Sequence, residues 1–154
     1  MNTYYECIKT IKETFEQDDR VKSVTTGDFE EWDTDMFAMV HLEVLSSPFI
    51  SQNNLGVVRY TVSVNVVDIR DWNKEDDKDI FWHNDNRHDT WNETRSILKI
   101  AANKLLRSKD AVRLVVATDA EPVMYLENMN GLDGWQQTWT IDVIDSLTNN
   151  CKEC

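Results

Sequence analysis

Apolar and polar residues alternate along the segment from Val57 to Ile69, which reads VVRYTVSVNVVDI. Successive side chains of a β-strand point to opposite faces of the sheet, so this pattern predicts a long strand with one dry face and one polar face. The residues expected on the dry face are Val58, Tyr60, Val62, Val64 and Val66. No pattern typical of catalysis accompanies this strand, which indicates a sheet that presents surfaces.

Apolar residues spaced three and four apart predict two helices. The first covers roughly residues 3 to 17 and is expected to bury Tyr4, Ile8, Ile11 and Phe15. The second is predicted to begin at a capping box, Thr90-Trp91-Asn92-Glu93, and to run to about Arg107. Its expected buried stripe consists of Trp91, Leu98, Ala101, Ala102 and Leu105.

Shorter strands are predicted at residues 21–26, 36–45, 112–117, 122–127 and 135–144, the last of them preceded by turn signals at Asn130-Gly131 and Asp133-Gly134. The connection from Ser46 to Gly56 favours an antiparallel hairpin between the second strand and the long one. Gln137 is a polar exception on the apolar side of the last strand. The order helix, strands, helix, strands predicts an α+β fold, an antiparallel sheet with two main helices packed on one face. We expect a single domain over residues 1–148 and a flexible C-terminal tail over 149–154.

The composition narrows the range of partners. The chain has 154 residues, is 41% hydrophobic and carries a formal net charge of −12. Such a charge repels phosphate backbones and anionic lipid, although an acidic wall can let DNA slide past. No apolar run approaches the roughly 20 residues that span a bilayer, and we expect no secretion signal. Three cysteines, an odd number, favour a reducing compartment.

Charge is unevenly distributed along the chain. The segment from Asp28 to Asp35 holds five acids and no base, and the segment from Asp71 to Asp89 holds seven acids against three bases. The second helix is the opposite, with Glu93 as the single acid among its exposed positions. Its exposed bases are Arg95, Lys99, Lys104 and Arg107. The sequence therefore predicts one basic surface on an acidic protein.

Several residue groups could in principle bind a metal. Cys151 and Cys154 have the spacing of half a zinc site, whereas a structural zinc site needs four ligands. His83 and His88 lie near Asp85 and Asp89, in a spacing that fits no metal motif. The segment 28–35 lacks the glycine and the closing glutamate of a calcium loop. We interpret the two cysteines as part of a frayed tail, the histidines as part of a solvated loop and the segment 28–35 as an acidic contact surface. We expect no metal and no cofactor.

A catalytic alternative rests on Glu43 and Asp68. The two carboxylates lie on strands that could be neighbours, and a carboxylate pair with a lysine can hold magnesium for a nuclease. No lysine stands two positions from either acid. A phosphate-cradling glycine loop and a nucleophile elbow are also missing from the sequence. We therefore expect no catalytic residues, and keep a small metal-dependent nuclease as the alternative from a different functional class.

Aromatic and apolar residues in polar surroundings indicate contacts with other molecules. Trp32, Trp72 and Trp82 lie in polar stretches, and tryptophan is enriched at the energetic centres of interfaces. The connection after the second strand carries Phe49, Ile50 and Leu55, which a loop tip can seldom bury in its own domain. The full set of predicted interface residues is Trp32, Phe49, Ile50, Leu55, Trp72, Trp82, Arg95, Lys99 and Arg107.

The order of elements and the chain's closing pattern resemble a viral family. The pattern is Ala120-Glu121-Pro122-Val123, followed by Gly134-Trp135-Gln136-Gln137-Thr138-Trp139-Thr140-Ile141-Asp142-Val143. Together with the second strand and the long hairpin connection, it resembles the tail terminator proteins of tailed bacteriophages, also called tail-completion or neck proteins. The resemblance covers about residues 3 to 145. The segment from Arg70 to Asp89 and the two terminal cysteines have no counterpart in it.

The resemblance implies a structural virion protein that is made in the host cytoplasm and located at the head–tail junction. Such a protein forms a ring, usually a hexamer, caps the tail tube and docks to the head connector. Its implied partners are copies of itself, the tail tube protein and the connector or adaptor protein, with DNA only as cargo through the lumen and no membrane. It implies no enzyme activity. Alternatives are a neighbouring neck or connector-adaptor protein and an acidic monomeric adaptor for a host protein.

The uneven charge suggests how such a ring could assemble. Rings form by head-to-tail contacts, in which one patch meets a different patch on the next subunit. We therefore expect Arg95, Lys99 or Arg107 of one subunit to face acids of its neighbour.

Overall fold

The computed structural model describes residues 2–27, 36–48, 56–69, 86–127 and 130–144. These residues form two helices and six strands in one sheet. The elements are α1 (Thr3–Glu16), β1 (Ser23–Thr26), β2 (Met39–Ser46), β3 (Val57–Ile69), α2 (Asn86–Leu106), β4 (Val112–Ala117), β5 (Glu121–Glu127) and β6 (Asn130–Ile144). The predicted α+β fold is confirmed.

The sheet has the strand order β1-β2-β3-β6-β4, and β5 pairs with the first half of β6. The predicted β2–β3 hairpin is antiparallel, with Val40 opposite Val66. Within the described sheet the β1–β2 pair is parallel, and every remaining pair is antiparallel. The expectation of a purely antiparallel sheet is therefore wrong at this one edge.

Both helices pack on the same face of the sheet, as predicted. Alternate residues of β2, β3, β4 and β6 form this face and enclose one apolar core with α1 and α2. Phe15 of α1 stacks on Trp139 of β6, with ring centroids 5.6 Å apart and planes 8° from parallel. Burying aromatic rings of this size removes a large apolar area from water, which is the dominant favourable term in folding.

The opposite face of the sheet is mainly polar. Arg59 donates two hydrogen bonds to the carboxylate of Asp142, with N–O distances of 2.7 and 3.0 Å. A second, smaller apolar cluster lies at one end of this face and consists of Phe37, Met39, Val67 and Leu132. The long strand therefore has the dry face and the polar face that its alternation predicts. Near its end, Val67 and Ile69 add apolar side chains to the otherwise polar face.

Three predicted helix and strand details differ from the structure. In α1 the fully buried residues are Cys7, Ile11 and Phe15, whereas Tyr4 is exposed and its ring meets Tyr60 edge-on. The predicted capping box is wrong, because α2 begins at Asn86 and Thr90 lies inside it. Residues 130–134 belong to β6, so the turn signals at Asn130-Gly131 and Asp133-Gly134 are also wrong.

Neither helix within the described residues is long and apolar enough to cross a membrane. Residues 145–154, which include the predicted tail and Cys151 and Cys154, lie outside the described residues. Cys7 is a buried free thiol, and burial raises its pKa to about 12. The thiolate, the reactive form, is therefore suppressed at neutral pH.

Candidate subunit interface

The outer side of α2 carries the predicted basic surface. The helix turns its apolar side to the sheet, where Ile97, Leu98 and Ala101 are buried. Residues on the opposite side must then point outward, because a helix repeats every 3.6 residues. Arg95, Lys99 and Arg107 are exposed, as predicted. Arg95 and Lys99 are four residues apart and so lie on one flank of the helix.

Of the two acids of α2, Asp89 lies in its first turn and Glu93 is paired within the chain. The guanidinium of Arg20 lies 2.7 Å from the Glu93 carboxylate and donates two further hydrogen bonds, of 2.9 and 2.7 Å, to Asp18. Hydrogen bonding from Arg20 holds the pKa of Asp18 below its ordinary value. Within the described residues, Arg95, Lys99 and Arg107 make no ion pair. The structure therefore makes this flank a candidate for contact with another molecule.

Arg95 is held over an anchored aromatic ring. Its guanidinium carbon lies 5.7 Å from the centre of the Trp135 ring, in a cation–π arrangement. Trp135 in turn donates its indole N–H to the backbone carbonyl of Trp91, at 2.7 Å. A cation over a fixed ring loses less conformational entropy on binding than a free side chain does. Arg95 is thus partly preorganised on the outer surface.

A groove of about 350 Å³ lies between α2 and the connection from β4 to β5. We call it the α2 groove. Its cationic rim is formed by Arg95 and Lys99, and Asp119 is the one acid among its described lining residues. Apolar side chains supply much of the remaining lining, namely Leu98, Ala102, Leu106, Ala117 and Ala120. Leu106, the last residue of α2, is 50% exposed and adds apolar surface to the groove.

The connection that forms the far wall of the groove is fixed by Gln137. Its amide nitrogen donates to the backbone carbonyl of Thr118, and its amide oxygen accepts from the indole N–H of Trp139, both at 2.7 Å. The Thr118 backbone and hydroxyl also bond to Thr138 across the break between β4 and β5. Gln137, the polar exception in the apolar pattern of β6, therefore has a structural role, which is to fix the connection between β4 and β5 beside α2.

The predicted site residues fall into three groups. Arg95 and Lys99 come together at the α2 groove. Arg107 follows the last residue of α2 and is not among the groove's lining residues, so the structure separates it from the other two. The remaining predicted interface residues, Trp32, Phe49, Ile50, Leu55, Trp72 and Trp82, lie outside the described residues.

Glu43 and Asp68 do not form a carboxylate pair. Glu43 lies opposite Ser63, on the face of the sheet away from the helices, whereas Asp68 lies opposite Asp133, on the helix face. Burial raises the pKa of Asp68 above its ordinary value; the backbone N–H of Ile69 acts against this, and the charge of Glu93 adds to it. The pair on which the nuclease alternative depends is therefore separated by the sheet.

Metal ligation finds no support in the described part of the chain, where no group of three or more His, Cys, Asp or Glu side chains converges. His88 is exposed on α2 and its ring meets Trp91 edge-on, with centroids 6.0 Å apart. His83 and Asp85, the neighbours that the metal hypothesis needs, lie outside the described residues.

Sequence reasoning missed the wall of the groove. Thr118, Asp119 and Ala120 lie on a short connection with no recognisable motif, and only tertiary packing brings them beside α2. One signal was present, because Gln137 interrupts an otherwise apolar face. An amide on an apolar face needs hydrogen-bond partners, so such an interruption indicates a specific polar contact.

Comparisons with known proteins leave the family open. No protein-family model matches the chain, and no curated protein matches its sequence.

Proposed function

We propose that this chain is a structural subunit of a tailed-phage virion, a tail terminator that forms a ring at the head–tail junction. In this role the ring caps the finished tail tube, docks to the head connector and leaves a lumen for DNA. The chain contributes surfaces and carries out no catalytic step. It is made in the host cytoplasm and acts in the virion.

The observation that carries the proposal is a pair of unlike charged regions, the basic flank of α2 and the acid-rich segment that follows β1 in the sequence. The cationic rim of the α2 groove lies beside β4, at one edge. The segment 28–35, with five acids and no base, follows β1, which is the other edge. Two different complementary patches on one subunit make a head-to-tail contact that repeats from copy to copy, and it forms a ring when the rotation between copies closes.

The charge of the whole chain supports the same role. At a net charge of −12, a ring of several copies encloses a strongly negative lumen, which repels the phosphates of passing DNA. Assembly then needs a local attraction that outweighs the repulsion between copies. Arg95 and Lys99, which form no ion pair within the described residues, supply that attraction.

Assembly is tested by native mass spectrometry and sedimentation of the purified chain and of the variant Arg95→Glu/Lys99→Glu. We expect a ring for the natural chain and a loss of ring mass of at least about tenfold in the variant at low salt, because reversed charges repel the neighbour's acids. The matched control is Lys9→Glu/Lys12→Glu, which makes the same charge change on the exposed side of α1. A ring that is unchanged in the α2 variant, or equally lost in the control, contradicts this assembly mode.

Location is tested by electron microscopy of the virion with gold-labelled antibodies against the chain. Gold at the head–tail junction is the expected result. Label on the capsid, at the tail tip or absent from the particle contradicts the proposal, and label on the connector side of the junction identifies the neighbouring neck-protein role instead.

A further inference from the structure

The α2 groove has the chemistry of a socket for an aromatic residue flanked by acids. Its apolar lining, which includes Leu98, Ala102 and Ala120, offers burial to a ring, and Arg95 and Lys99 stand at its rim. About 350 Å³ is at the lower end of the volumes of ligand sites in proteins, which fits one large side chain with its backbone. The floor and the rim therefore favour an occupant that combines a large apolar ring with negative charge.

We propose that the α2 groove receives the segment 28–35 of the neighbouring copy, with Trp32 on the apolar floor and the surrounding acids against Arg95 and Lys99. This inference rests on the proposed ring, and it names the contact that joins one subunit to the next. The segment reads DFEEWDTD and places an acid directly on either side of Trp32.

We assign the occupant to the neighbouring copy because the proposed ring joins unlike patches of successive subunits. The segment follows Gly27, directly after β1, whereas the groove is lined by α2, the connection 118–120 and Gln137 of β6.

Charge selects this segment over the other acidic stretch of the chain. In the segment 28–35 five of eight residues are acids and none is a base. The segment from Asp71 to Asp89 holds seven acids and three bases in more than twice the length, so its charge is more dilute and mixed. Two rim cations in a small groove are satisfied best by the denser run, which can place several carboxylates within reach at once.

Zero-length carbodiimide crosslinking, which joins a lysine amine to a carboxylate, tests the contact directly. Unlabelled and ¹⁵N-labelled full-length chains are mixed, and their exchange within rings is verified by native mass spectrometry. We expect mixed-isotope crosslinks between Lys99 and Glu30, Glu31 or Asp33, with at least about tenfold fewer of them in Trp32→Ala and nearly natural levels in Trp32→Phe. Trp72→Ala is the matched control in the other acidic stretch and should leave these crosslinks unchanged.

Each other outcome overturns the inference in a distinct way. Crosslinks within one isotope only mean that the segment reaches the groove of its own chain. Crosslinks from Lys99 to acids between residues 71 and 89 assign the groove to a different segment. A ring without Lys99 crosslinks refutes this contact and leaves the proposed function standing, whereas a chain that stays monomeric in isolation and on the virion refutes both.

Discussion

His41 shows how one residue couples the polar face of the sheet to pH. It lies on β2, on the face away from both helices, yet only 8% of it is exposed. Its Nδ1 lies 2.8 Å from the hydroxyl of Thr25 on β1. Burial disfavours the charged imidazolium and lowers the pKa of His41 below its ordinary value, against the backbone of Gly27 and the charge of Glu43, which act to raise it. The folded protein therefore resists a proton that the unfolded chain accepts.

We predict that His41 makes the fold less stable as the pH falls through the ordinary histidine range. Below a pH of about 6.5 the unfolded chain binds a proton that the folded chain does not, and each pH unit down to the lowered pKa removes up to about 1.4 kcal/mol from the free energy of unfolding. Urea unfolding at about pH 7.5 and about pH 5.5 measures the loss, compared with His41→Asn as the non-titrating control. An equal loss in the control contradicts the role of His41.

At the scale of elements, hydrophobic periodicity predicts the bounds of those strands whose residues follow a clear local pattern. The bounds of β3, Val57–Ile69, and β4, Val112–Ala117, agree with the prediction because alternation or a run of branched residues marks both strands. The sequence predicts the start of α2 at Thr90, a good cap by residue type. In the structure Thr90 lies inside the helix, where its backbone carbonyl accepts the hydroxyl of Thr94 at 2.7 Å. A threonine inside a helix cannot be distinguished from a cap by residue type alone.

The candidate site divides in the same way. Helical periodicity alone placed Arg95 and Lys99 on the outside of α2, so the cations were predictable. The groove itself was not, because its far wall, Thr118 to Ala120, is the connection after β4, and Gln137, which bonds to this wall, lies on β6. The groove follows from tertiary packing, which local sequence patterns do not predict.

The start of β6 supplies a prediction about strand pairing. The sequence predicts a turn at Gly134, whereas the structure has it inside β6 opposite Val67, where an added Cβ would overlap the backbone carbonyl oxygen of Val66. Gly134→Ala should therefore force β6 away from β3 and lower the free energy of unfolding by about 1–3 kcal/mol. Equilibrium denaturant unfolding measures the change.

The control for this substitution is Gly27→Asn. Gly27 has a φ of +84° and open space around its Cβ position, and asparagine tolerates this backbone conformation better than most residues do. We expect a small effect at Gly27 and a large one at Gly134. Comparable stability of Gly134→Ala and the natural chain would show that the two strands can separate without cost.

At the scale of the whole molecule, two electrostatic effects oppose each other in assembly. Each copy carries a net charge of −12, which repels the next copy at long range. In the proposed ring the α2 flank of one copy and the acidic segment 28–35 of the next attract each other at short range. Salt screens both effects. Exposed pairs contribute only about 0 to 1 kcal/mol each, so in this proposal the charges set the register of the ring and apolar burial supplies most of its affinity.

This balance predicts opposite salt responses for the natural chain and the charge-reversed chain. At about 0.05 M salt the attraction of Arg95 and Lys99 to the neighbour's acids is at its strongest, and at about 0.5 M it is largely screened, so the ring of the natural chain should weaken. In Arg95→Glu/Lys99→Glu the same contact is repulsive, and the ring lost at low salt should be partly regained at high salt. Sedimentation across the salt series measures both slopes. Slopes of the same sign would mean that net charge alone governs assembly, because only a local attraction between unlike patches can change sign on charge reversal.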